Sequence, residues 1–129
     1  MNIMNWEEKT VVVTGGSGFL GSRVVKILEK KNPKKIIIPR SQDYDLRIKE
    51  KCEEITKEAD IIFHLAAKVG GIGLNQNIPG QLFYDNIMMG TQLIEEARKN
   101  NVEKFIALGT ICSYPKFTPL PFSENSIWD

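Results

Sequence analysis

The stretch "TVVVTGGSGFLGSRVVKIL", residues 10–28, decides the fold. Its first five residues are β-branched throughout, the composition of a strand buried on both faces. Glycines follow at once, and Leu20, Val24, Ile27 and Leu28 then recur at helical spacing until Asn32-Pro33 stops the pattern. A buried strand that runs through a glycine turn straight into a helix is the opening unit of a parallel α/β sheet. The same turn offers Gly16-x-Gly18-x-x-Gly21 and equally Gly15-x-x-Gly18-x-x-Gly21. In this setting the glycines let the backbone turn sharply and approach a diphosphate, whose charge would sit at the positive end of the helix.

The rest of the chain repeats the alternation. "KKIIIP" (34–39) reads as a second short strand, and Ile48, Cys52 and Ile55 mark a modest second helix. "DIIFHL" (60–65) is a third strand and "AAKVGGIGLNQNIPG" a glycine-rich loop. A long helical pattern follows from Pro79 to Lys99, with Leu82, Met89, Leu93 and Ala97 inward, and "VEKFIALG" (102–109) is a fourth strand. The order β-α-β-α-β-α-β requires parallel pairing with right-handed crossovers, hence an open doubly wound sheet.

Composition narrows the function. The chain has 129 residues, 42% hydrophobic and 26% charged, with a net charge of +1. That fits one soluble domain and gives no electrostatic reason to expect nucleic acid or an anionic membrane as partner. No apolar run approaches the roughly 20 residues of a membrane span, and "MNIMNWEEKT" has no signal-peptide core. Cys52 and Cys112 are the only cysteines and His64 the only histidine, so no Cys/His metal spacing exists. Two free thiols match a reducing compartment, and the expected location is cytoplasmic.

In doubly wound sheets ligands bind outside the carboxyl ends of the strands. The loops there are 14–21, 38–46, 65–78 and 108–119, and they are expected to converge on one crevice. A dinucleotide site carries a selector about 20 residues past the last glycine, and an acid there suits NAD. Here Arg40 and Ser41 come first, with Asp43 and Asp45 deeper in the loop. A cation and a hydroxyl suit a 2′-phosphate, which favours NADP; the plain alternative is a solvated loop arginine.

"TGGSGFLGS", "HLAAKVGGIG", "YDNIMMGTQLIEEA" and "GTICSYPK", in this order and spacing, resemble the N-terminal part of the GDP-L-fucose synthases. These belong to the extended short-chain dehydrogenase/reductase group, also called the NAD-dependent epimerase/dehydratase family. The resemblance runs from about Lys9 to Asp129, and "AAKVGGIG" with Cys-x-Tyr-Pro-Lys are its narrow motifs. It implies a Rossmann-like doubly wound parallel sheet. It also implies NADPH-dependent 3,5-epimerisation and 4-keto reduction of GDP-4-keto-6-deoxymannose to GDP-L-fucose. By motif, Gly15, Gly18, Phe19, Leu20 and Gly21 would hold the pyrophosphate. Arg40, with Ser41, would face the 2′-phosphate, and Asp45 and Leu46 would border the adenine. Leu65, Ala66, Ala67 and Lys68 would line the ribose and nicotinamide side.

Under the same resemblance Thr110 would donate its hydroxyl to the sugar carbonyl, and Cys112 would move a proton from the carbon beside it. The bland alternative for Cys112 is a small buried thiol packed beneath the cofactor. Tyr114-Pro115 reads as a rigid turn anchoring the loop, and Lys68 as either an anion ligand or a solvated lysine. Asn86 needs a hydrogen-bond partner, expected to be backbone. His64 reads as a satisfied core residue, and Gly70, Gly71 and Gly73 as a substrate cradle or a plain turn.

None of Tyr44, Tyr84 and Tyr114 is followed four positions later by lysine. The reductase pair Tyr-x-x-x-Lys is therefore missing. The expectation is that residues 1–129 form the N-terminal NADP-binding part of a longer enzyme, truncated after about four strands and lacking the substrate lobe. Such a chain is expected to be inactive alone, and the helix 79–99 resembles the one that builds the family's homodimer. The rival readings are another nucleotide-sugar epimerase or dehydratase and a non-catalytic NADP-binding module.

Overall fold

A computed structural model describes residues 4–128. Four strands, β1 (Thr10–Thr14), β2 (Lys35–Ile37), β3 (Ile61–His64) and β4 (Lys104–Ala107), form one parallel sheet in the order β2-β1-β3-β4. The helices are α1 (Phe19–Glu29), α2 (Lys49–Thr56), α3 (Ile72–Asn77) and α4 (Pro79–Lys99). The crossover from β1 to β2 runs one way along the sheet and that from β2 to β3 returns past β1. The gap between β1 and β3 is thus the switch point, where ligands enter such sheets. The doubly wound, Rossmann-like architecture expected from the alternation is present.

β1 is buried over its whole length, as its β-branched composition requires. Alternate residues feed two cores. Val12 and Ile62 pack with Cys52, Ile55, Leu93 and Ala97 of α2 and α4; Val11, Val13 and Ile61 pack with Val25 and Leu28 of α1. At about 25 cal/mol per Å² of apolar surface, each such aliphatic side chain contributes roughly 1.5–3 kcal/mol. No described helix is long and apolar enough to cross a membrane.

Several boundaries differ from the sequence reading. The outer strands are shorter than 34–39 and 102–109 because pairing lasts only where a neighbour runs alongside: Thr10 to Val12 opposite β2, Ile61 to His64 opposite β4. The glycine-rich loop contains α3, which opens at Gly71 and is tied by the Asn75 amide donating to the carbonyls of Gly70 and Gly71. α1 turns a different face inward than expected. Its buried residues are Gly21, Val25 and Leu28, whereas Leu20 is 42% and Ile27 60% exposed. The cause is Gly21, which packs so closely on the glycine turn that an added Cβ would stand 2.1 Å from the Gly15 carbonyl oxygen. That backbone contact, rather than the apolar stripe, fixes the helix's rotation. α1 ends as expected, with Asn32 in the left-handed region (φ 50°) before Pro33.

Candidate functional site

The 14–21, 39–47 and 65–69 segments enclose one cavity of about 770 Å³ at the carboxyl ends of β1, β2 and β3, within the size range of cofactor pockets. From the first segment Gly15, Gly18, Phe19, Leu20 and Gly21 line it; from the second Arg40, Ser41, Asp45 and Leu46; from the third Leu65, Ala66, Ala67 and Lys68. Every residue expected at a cofactor groove is therefore on its wall.

The glycine turn is built for close backbone approach. Gly15 has φ +69°, and a Cβ there would lie 2.8 Å from the Ala66 nitrogen. The Gly18 amide donates to the Gly15 carbonyl at 2.9 Å, and Gly18 opens α1 without any side-chain cap. The first residues of α1, Phe19, Leu20 and Gly21, line the cavity, and no side chain among the described residues caps the helix, the arrangement that receives an anion. A diphosphate fits this cradle; a side chain at Gly15 or Gly21 does not.

The floor between β1 and β3 is set by Thr14, fully buried and on the cavity wall. Its hydroxyl oxygen accepts the backbone N–H groups of Leu65 and Ala66, both at 3.2 Å, and lies 2.9 Å from His64 Nδ1. His64 is thus hydrogen-bonded within the fold, and burial holds its pKa below the ordinary histidine value.

Charges on the wall are mostly paired. Asp45 is grasped by Arg47 through its side chain and backbone, which holds the carboxyl below the usual range. Arg47 also donates to Asp85 at 3.0 Å, and Lys68 Nζ donates to the other Asp85 oxygen at 2.6 Å. Lys68 and Arg47 together hold the Asp85 carboxyl below its ordinary value, while Asp45 and then Asp85 raise that of Arg47. Lys68, its side chain 40% exposed on the cavity wall, is half of an ion pair. Asn86 grips the backbone of the same lysine: Oδ1 accepts its N–H at 2.8 Å and Nδ2 donates to its carbonyl at 2.9 Å. Arg40, exposed on the wall, forms no ion pair among the described residues.

Thr110 and Cys112 are exposed and do not line this cavity. β4 lies beyond β3 from β1, and the chain leaves it through a 3-10 turn, Ile111–Ser113, capped by the Thr110 hydroxyl, which accepts the Cys112 N–H at 3.3 Å. The Tyr114 ring stacks on Phe122 with centroids 4.7 Å apart, so the turn is anchored to the segment that follows it. Three of the four expected loops meet at the cavity wall, and the fourth stands outside it. Gly70, Gly71 and Gly73 are not on the wall either.

The sequence reading did not single out Thr14, Arg47 or Asp85 as site residues. Asp85 had a signal: a carboxylate on the face of α4 that carries Leu82 and Leu93 must find cations, because an unpaired buried charge is costly.

Residues 11–127 match the family model described as the NAD dependent epimerase/dehydratase family. A GDP-L-fucose synthase of Sinorhizobium fredii is 32% identical over 121 residues, covering 92% of this chain and 38% of that protein. A GDP-mannose 3,5-epimerase of Oryza sativa subsp. indica is 29% identical, covering 95% of this chain and 37% of that protein. Among solved structures, a GDP-L-fucose synthetase from Naegleria fowleri bound to NADP superposes with a TM-score of 0.83 at 28% identity, covering 97% of this chain and 38% of that one. The chain spans well under half the length of these relatives.

Proposed function

This chain belongs to the NAD dependent epimerase/dehydratase family, and from that premise we propose that it is the NADP-binding portion of a nucleotide-sugar epimerase/reductase. The reaction proposed is that of the GDP-L-fucose synthases: epimerisation at carbons 3 and 5 of GDP-4-keto-6-deoxymannose, then reduction of its 4-keto group. One observation carries the cofactor reading. The wall joins a glycine cradle that admits only backbone to an arginine that pairs with no carboxylate among the described residues.

The α1 amides behind Gly18 would hold the diphosphate, and Gly15 and Gly21 keep that surface free of side chains. Arg40 and Ser41 would take the 2′-phosphate, Asp45 and Leu46 would border the adenine, and Leu65 to Lys68 would flank the ribose next to nicotinamide. Bound NADPH would supply the hydride. Thr110 would donate a hydrogen bond to the sugar carbonyl as charge develops on its oxygen. Cys112 would take and return the proton at the adjacent carbon. A homodimer built on α4 completes the proposal, since Phe83, Ile87 and Ile94 leave an exposed apolar stripe along that helix.

Calorimetric titration tests the cofactor reading. NADP⁺ is expected to bind this chain about tenfold or more tightly than NAD⁺, and Arg40→Ala to abolish the difference. Equal affinities in the unaltered chain overturn the NADP assignment. A second reading, a non-catalytic NADP-binding module, draws on the place of Thr110 and Cys112 outside the cavity wall. It is distinguished by keto-sugar reduction: a full-length protein carrying this chain that binds NADPH but leaves the sugar unreduced is the module.

A further inference from the structure

We propose that His64 is a positioning residue of the cofactor groove: its neutral ring, with its proton on Nε2, accepts the Thr14 hydroxyl hydrogen and so fixes the 65–67 turn beneath the glycine loop. Donors and acceptors at one buried oxygen decide the tautomer. A threonine hydroxyl has two acceptor positions and one hydrogen. Thr14 Oγ1 accepts the N–H groups of Ala66 and Leu65, the latter shared with the Thr14 carbonyl at 3.2 Å. Its hydrogen must go elsewhere, and His64 Nδ1, at 2.9 Å, is its one acceptor among the described residues. A hydrogen on Nδ1 would set two donors against each other and leave the buried hydroxyl hydrogen unpaired, which costs about 1–3 kcal/mol.

The surroundings favour the same tautomer. The ring lies beside Phe105 of β4, with centroids 6.0 Å apart. Gly90 of α4 leaves the other nitrogen room, since a Cβ there would stand 3.9 Å from Nε2. β1 carries no ionisable residue. The charged residue of β4, Lys104, pairs in register with Ile61, at the other end of β3. Those buried on α4 are Asp85, held by Lys68 and Arg47, and Glu96, held by Lys99. Burial alone lowers the ring's pKa, with no neighbouring charge contributing.

The consequence reaches the ligand surface directly. The turn that Thr14 holds is the one Gly15 touches, so the depth of the cradle depends on the Thr14 hydroxyl keeping its orientation. The part of the proposal that concerns ligand affinity rests on the dinucleotide reading above; the tautomer and the turn do not.

His64 is the only histidine, so its imidazole nitrogens can be read without assignment in ¹⁵N-labelled protein. At pH 7.5 a neutral ring protonated on Nε2 is expected; an Nδ1–H tautomer or a charged ring overturns the proposal. The variants His64→Asn and His64→Phe then separate positioning from bulk. Asparagine Oδ1 occupies the place of Nδ1 and accepts from Thr14 without titrating, whereas phenylalanine accepts nothing. Amide hydrogen exchange at Ala66, whose N–H has the Thr14 hydroxyl as its one acceptor among the described residues, should match the unaltered chain in the Asn variant and speed up tenfold or more in the Phe variant. NADP⁺ affinity should fall more steeply from pH 8 to pH 5.5 in the unaltered chain than in the Asn variant, where only the ligand's own 2′-phosphate takes up a proton. Equal exchange in all three proteins, or the same pH profile in the Asn variant, overturns the proposal. Failure of the unaltered chain to bind NADP⁺ at pH 8 sinks the dinucleotide reading instead, and the exchange rates then decide the positioning role.

Discussion

Lys68 and Asp85 meet at 2.6 Å across the cavity wall, joining the turn after β3 to α4, and Arg47 reaches the same carboxylate at 3.0 Å from the segment before α2. Only 4% of the Asp85 side chain is exposed, so this carboxylate ties two walls of the cavity to one helix. Asp85→Asn keeps the shape and removes the charge, leaving both cations without their partner. Its melting midpoint should fall by several degrees at pH 7, and that of Asp85→Ala further. The pH dependence has a definite sign. The folded-state pKa of Asp85 lies below its ordinary value of roughly 3.9, so the contribution is full above that value. It is lost as pH falls through the folded-state value. The gap between the unaltered protein and Asp85→Asn should therefore shrink below pH ~4; a gap that widens in acid removes the ion pair from the account.

Asn86 makes a separable contribution, because it holds Lys68 by its backbone rather than its charge. Asn86→Leu preserves volume but strips partners from the Lys68 N–H, the Lys68 carbonyl and the Leu82 carbonyl. An unpaired buried polar group costs about 1–3 kcal/mol. Urea unfolding should show a loss in that range, with faster amide exchange at Lys68. Unchanged exchange there would mean that the amide lattice does not hold the turn.

The glycines provide a matched pair. Gly21→Ala drives a methyl to 2.1 Å from the Gly15 carbonyl, a backbone atom that can move only with the whole turn. A cost on the order of 1–3 kcal/mol is expected from such overpacking, together with lost NADP⁺ binding. Gly73 sits in α3 with nothing within 4 Å of an added Cβ, so Gly73→Ala should gain up to about 1 kcal/mol from helix propensity. Chemical denaturation of the two variants checks both signs.

What the sequence made legible was whatever depends on local chemistry. "TVVVTGG" announces β1 and its turn because β-branching and glycine act within a few residues, and Pro79 to Lys99 reads as a helix because its period is sustained for 21 residues. The rotation of α1 was not legible, since it is set by Gly21 meeting Gly15, and glycine carries no weight in an apolar stripe. Lys68 read as an ambiguous loop cation for a similar reason. Its partner lies 17 positions on, and nothing in "AAKVGG" says which way the side chain turns. Thr110 and Cys112 were legible as a motif, whereas their place off the cavity wall goes with β4 standing outside β3, a strand order the motif does not carry.

The two cysteines should differ sharply in reactivity. Cys52 is fully buried between α2 and the sheet, its thiol donating to the Leu46 carbonyl at 3.2 Å, and burial pushes its pKa up to about 11. The thiolate is the reactive species, so Cys52 should be inert in the folded chain, while exposed Cys112 should react. A disulfide reagent at pH 8 is expected to titrate one thiol per native chain and a second only in denaturant, with Cys112→Ser removing the fast one. The same burial links stability to alkaline pH. A thiol whose folded-state pKa is raised stays protonated after the unfolded chain has lost its proton near pH ~8.5, so stability falls as pH climbs from there toward 11. Cys52→Ala loses some packing at neutral pH but should flatten that alkaline slope. Two fast thiols in the native chain would mean that α2 does not seal the core as described.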